Sequence, residues 1–144
     1  MSAPHKVRMT TFDFEEAARA VSIDVHDLQG EFVRVPSDIA HYGSLAADAL
    51  ENALSTKRQL EAGEGQVRME YKQSQKDRVT EAFLDSCVVQ DPRYRVLREQ
   101  ADRADVLRVR AVGVCTALQA KKEMLISLGA HIRAEMQTNL TIRS

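Results

Sequence analysis

The sequence predicts an all-α protein, a single helical domain over residues 1–144 built on a long antiparallel helical hairpin. Composition points there first. Only 5% of residues are aromatic, none is Trp, and 44% are hydrophobic. Ala, Leu, Glu, Gln, Arg and Lys are prominent; such residues lose least entropy in a helix, whereas strands favour β-branched and aromatic ones. Six Gly and three Pro supply little turn chemistry, which argues against a sandwich, a barrel or repeated βαβ units. Two apolar patterns stepping by threes and fours, each about 40 residues long, complete the case.

The elements follow in order. Residues 1–36 carry short, acidic N-terminal helices. Thr11 or Asp13 caps the first, through Phe14, Ala17, Ala18 and Val21. A second stretch over 23–33 sets Ile23, Val25, Leu28 and Phe32 near one face, with Gly30 weakening it. Pro36-Ser37-Asp38 then predicts a long helix over 37–76, with Ser37 as N-cap and Asp38 at the positive end of the dipole. Ile39, Tyr42, Ala46, Ala49, Ala53 and Leu60 form its stripe, widened by Leu45, Leu50 and Leu54. Gly63 and Gly65 interrupt it at a cost of roughly 2 kcal/mol relative to alanine, so the helix weakens or bends there before Val67, Met69 and Tyr71 resume the pattern.

A short helix over 79–89 contains Thr80, Ala82, Phe83, Leu84 and Cys87. Asp91-Pro92 is the clearest start signal, an Asp cap with Pro at the first helical position. It opens a helix over 92–136, before a tail at 137–144. Leu97, Ala101, Ala104, Leu107, Ala111, Val114, Leu118, Leu125, Leu128 and Ile132 make a narrow a/d-type seam. At 1.5 Å per residue, two such helices span about 60 Å. A hairpin so thin encloses no compact core, so its second stripe is expected to bury against copies of itself as a homo-oligomer.

Catalytic signatures are missing. Gly63-x-Gly65 lacks a third glycine and a preceding strand, and there is no phosphate-cradling loop. His5, His26, His41 and His131 are scattered without metal-ligand spacing, and Ser86-Cys87 has no base in a motif around it. No enzyme activity, metal or cofactor is expected. Cys87 and Cys115 read as reduced thiols, and no signal peptide or membrane span is apparent, which points to the cytoplasm and to no membrane partner.

Charge distribution says more than the net of −1. Residues 1–54 hold four basic and nine acidic residues; residues 55–144 hold sixteen basic and twelve acidic. The chain is thus −5 in front and +4 behind. Arg68, Lys72 and Lys76 recur at i, i+4 and i+8, with Tyr71 beside them and Arg78 after them. A basic row with an aromatic suits single-stranded nucleic acid, since charges track phosphates and a ring can stack a base. It also suits a solvated face with ordinary ion pairs. A second group, Arg93, Arg95, Arg98, Arg103, Arg108 and Arg110 near Tyr94, is diluted by Glu99, Asp102 and Asp105 and reads as more structural.

Three stretches carry a family resemblance. Ile23-Asp24 precedes Leu28-Gln29-x-Glu31, Pro36 and Tyr42. Val67-Arg68-Met69-Glu70-Tyr71 forms a basic-aromatic segment. Thr80-Glu81 leads to Val89-Gln90-Asp91-Pro92-x-Tyr94 and a helix closing with Lys121-Lys122-x-Met124-Leu125-x-x-Leu128-Gly129. In order and spacing, over residues 22–136, the chain resembles the UvsY-like recombination mediator family of tailed phages. The resemblance implies a helical ring that binds single-stranded DNA, the single-strand-binding protein and a RecA-like recombinase, in a bacterial host cytoplasm. It assigns DNA contact to Arg68 with Tyr71; Gln66 stands where the family has lysine, and Lys72, Lys76 and Arg78 extend the candidate site. On this basis Arg68→Ala with Lys72→Ala is expected to weaken salt-sensitive DNA binding. The alternative is a helical oligomeric adaptor or structural protein that binds only other proteins.

Overall fold

The computed structural model describes residues 12–144, and among them every regular element is α-helical. The elements are α1 (Phe14–Val21), α2 (Leu28–Ser74), α3 (Glu81–Gln90) and α4 (Pro92–Arg143). Thr11 and His5 lie outside the described residues. The two long helices, of 47 and 52 residues, pack against each other. Contacts group the chain into two compact units: residues up to Leu45 with Val112–Ser144, and Ala46–Ala111.

In the first unit, Asp13 caps α1 by accepting from the backbone N–H groups of Glu15 and Glu16 at 3.0 and 3.2 Å. The long helix does not start at Ser37. It starts at Leu28, and Pro36 lies inside it. The working cap is Asp27, whose carboxylate accepts the Gly30 N–H at 3.1 Å. Gly30 leaves room for this cap: a Cβ would sit 2.2 Å from the carboxylate, which would have to move. Of the predicted second stretch over 23–33, residues 28–33 belong to α2, while 23–27 form a turn before it. A proline in a helix interior removes one backbone bond and crowds the preceding turn. Packing on both sides of Pro36 holds the helix through it: Val35 and Tyr42 are buried, and Phe32 lies against Gly129.

Ala17, Tyr42 and Leu118 form the core of this unit, flanked by Ile39, Val114 and Cys115. Beside it lies a buried ion pair. Lys121 is 3% exposed, donates to the Ala20 carbonyl at 2.7 Å and pairs with the Glu31 carboxylate. Arg34 holds the other Glu31 oxygen at 2.6 Å. One amine therefore ties α1, α2 and α4 together.

In the second unit, α2 runs unbroken through Gly63 and Gly65 to Ser74, two residues short of the predicted end. The Leu97 side chain fills the space over Gly63, where a Cβ would meet it at 2.3 Å. Gly65 is exposed and has nothing within 4 Å of its would-be Cβ. Gly65→Ala is therefore expected to raise stability by about 1 kcal/mol in urea unfolding, the ordinary helix-interior difference. Gly63→Ala should gain less, because Leu97 must move.

Thr80 caps α3 through the Phe83 N–H at 3.3 Å, while Leu84 and Val88 bury its inner face. Asp91 ends α3 and starts α4: its N–H donates to the Cys87 and Val88 carbonyls, and its carboxylate accepts the Arg93 N–H at 2.8 Å. All ten positions of the α4 seam are buried or half-buried. The helix continues past Met136 to Arg143, replacing the expected tail with further turns. On α2, Leu50 and Leu54 are about half exposed rather than part of the buried stripe.

Candidate nucleic-acid interface

The five basic and aromatic residues singled out by the sequence do not form one row. Arg68 and Lys72 lie on α2, but α2 ends at Ser74, so Lys76 and Arg78 belong to the connection between α2 and α3. The i, i+4, i+8 alignment stops after its second member.

Arg68 is enclosed by carboxylates. Its guanidinium meets Glu81 at 3.0 Å and Glu64 at 3.7 Å, and hydrogen-bonds Asp85. Glu64 comes from the preceding turn of α2; Glu81 and Asp85 come from successive turns of α3. Asp85 first, and then the Glu81 and Glu64 charges, raise the guanidinium pKa above its ordinary value. Three carboxylates around one guanidinium leave a local charge of −2. As it stands, Arg68 offers no positive potential to a phosphate.

Tyr71 is half-buried, and its hydroxyl donates to Asp91 at 3.2 Å. Asp91 also binds Arg93 through both carboxylate oxygens, while Arg93 reaches back to Glu70 at 2.7 Å. The Arg93 side chain, then its backbone N–H, then the Tyr71 hydroxyl hold the Asp91 carboxyl down at about 2, against the opposing effect of burial. This network fastens the end of α2 to the α3–α4 junction. The Tyr71 ring is thus a structural element, with its polar tip committed.

Lys72, Lys76 and Arg78 are different. All three are exposed, and none enters an ion pair among the described residues. Asp77 is the single acid among residues 72–78, leaving that segment at +2. Lys72 also sits in the last turn of α2, where a cation complements the carbonyl end of the helix. In the second basic group, Arg93 and Arg108 are ion-paired, as is Arg103 with Glu99, while Arg95 donates to the Val89 carbonyl at 3.2 Å. Arg98 is exposed.

Sequence reasoning missed the acids that matter here. The Glu64–Arg68 spacing was readable as an i, i+4 pair. Glu81 and Asp85 lie 13 and 17 residues from Arg68, and only the return of α3 brings them together. Among the described residues no group of His, Cys, Asp or Glu side chains could hold a metal ion, and no helix is long and apolar enough to cross a membrane. Compared with protein-family models, curated proteins and solved structures, the chain has no match.

Proposed function

We propose that the protein is a homo-oligomeric, single-stranded DNA-binding recombination mediator that helps load a RecA-like recombinase onto DNA covered by single-strand-binding protein. The observation that carries the reading is the run Lys72, Lys76 and Arg78, three exposed cations within seven residues that have no ion-pair partner among the described residues. The motif order from residue 22 to 136 supplies the functional class. Moderate affinity at each cluster suits a mediator, because repeated copies on an oligomer multiply weak contacts while leaving each one releasable. Exposed apolar side chains on α4 support self-association: Val106 and Val109 in one unit, Met124 and Ile126 in the other, are each about half exposed. Such a role requires no catalytic group or cofactor, and its site of action would be the cytoplasm of a bacterial host.

The protein-only adaptor is the second reading, and the neutralised Arg68 favours it. One experiment separates the two. In an electrophoretic shift with a labelled single-stranded oligonucleotide at low salt, the mediator binds, and Lys72→Ala with Lys76→Ala and Arg78→Ala weakens binding strongly. Absence of any shift by folded protein would favour the adaptor.

A further inference from the structure

We infer that Glu81 and Asp85 are tethered counter-anions that occupy Arg68 until nucleic-acid phosphates replace them, making Arg68 a gated contact of the Lys72–Lys76–Arg78 site. The inference rests on the single-stranded DNA reading and deepens it. A guanidinium presents a planar fork of N–H groups that donates to carboxylate or phosphate oxygens in the same geometry. Here both arms of the fork are filled from α3, one terminal nitrogen by Glu81 and the other by Asp85.

The exchange needs no movement of α3. Leu84 and Val88, each 2% exposed, anchor the helix, and Thr80 caps it. Its two acids project outward instead: the side chains of Glu81 and Asp85 are 80% and 63% exposed, against 29% for Arg68. Rotating them into water therefore costs little burial, and it uncovers a guanidinium one turn from Lys72. With the acids in place the cluster repels phosphate. Once they swing away, Glu64 alone faces the arginine, at 3.7 Å, and both arms of the guanidinium are open to phosphate. Lys72, Lys76 and Arg78 would make the first contact, and Arg68 would join only when a strand is held beside it. The arrangement gives a site that discriminates against stray anions and retains an additional contact for a bound strand.

A double-mutant cycle on the full chain tests this with a fluorescent single-stranded oligonucleotide, each variant being checked for native helicity. Glu81→Gln with Asp85→Asn should tighten binding about fivefold at ~0.1 M salt, the effect of one added phosphate contact, and steepen the salt dependence accordingly. Arg68→Ala should weaken wild-type binding less than it weakens the Glu81→Gln, Asp85→Asn variant, where it should erase the gain. If the wild type binds and the acid variants bind no more tightly, the gate is wrong and the DNA reading survives. If the gain persists without Arg68, general charge rather than the clasp explains it, and the gate is again wrong. If neither the wild type nor the acid variants bind, the DNA reading falls and takes the gate with it.

Discussion

Leu118→Ala is expected to lower the unfolding free energy by about 3–4 kcal/mol, the cost of deleting a buried side chain and leaving a cavity. Leu118 is 0% exposed and sits in the middle of the α4 seam, against Ala17 of α1 and Tyr42 of α2. Three helices meet on it. None of them closes the gap alone, because Ala17 carries only a methyl group and the Tyr42 ring is held edge-on against Phe12. Urea unfolding followed by circular dichroism measures the loss. Leu50→Ala is the control: the same atoms are removed from a side chain 46% exposed, so its cost should stay below about 1 kcal/mol. Equal losses at the two positions would contradict the assignment of the core.

Lys121→Met should cost about 2–3 kcal/mol, because it strands a buried carboxylate. The Lys121 and Glu31 side chains are 3% and 6% exposed, so neither charge has ready access to water once its partner is gone. Arg34 still reaches Glu31, which keeps the loss at the lower end of what breaking a buried pair brings. Glu31→Leu combined with Lys121→Met should recover most of the stability, since an apolar pair of similar volume carries no desolvation cost. Acid separates the variants further. Burial pushes the Glu31 carboxyl up, but the hydrogen bonds and charges of Lys121 and Arg34 outweigh it and hold it below its ordinary value of 4.5. A depressed carboxyl contributes stability in full above that ordinary value and loses it as pH falls through the lowered one. The wild type should therefore weaken on acidification below pH 4.5, and the doubly apolar variant should lack this component.

Local signals accounted for much of the fold. The α4 seam could be read because burial along a straight helix follows the 3.6-residue period, and Asp91-Pro92 because a cap and its helix are adjacent in sequence. Asp13 acted as a cap for the same reason, whereas Thr80, expected inside the short helix, caps it and moves its start to Glu81. Pro36 misled in the opposite way. Its local penalty is real, but capping by Asp27 starts the helix at Leu28, nine residues before the expected start at 37, and the Phe32 contact with Gly129 is long-range. The burial of Lys121 has no local signal, because its acceptor at Ala20 lies 101 residues away. The candidate site divides similarly. Lys72, Lys76 and Arg78 are as exposed as a charged run suggests, whereas Arg68 and Tyr71 are claimed by acids that arrive only with α3 and the start of α4.

In the proposed mediator, the cationic segment at the end of α2 holds single-stranded DNA through phosphate contacts. The most direct measurement is the fluorescence anisotropy of a labelled oligonucleotide titrated with the full chain across a salt series. Three phosphate contacts give a slope of about −2 in log affinity against log salt, at roughly −0.7 per contact on a single strand. The expected result is binding at low salt with that slope for the wild type, and a much flatter dependence with Lys72, Lys76 and Arg78 all replaced by alanine. Binding that is absent at low salt, or unchanged by the triple replacement, would contradict it.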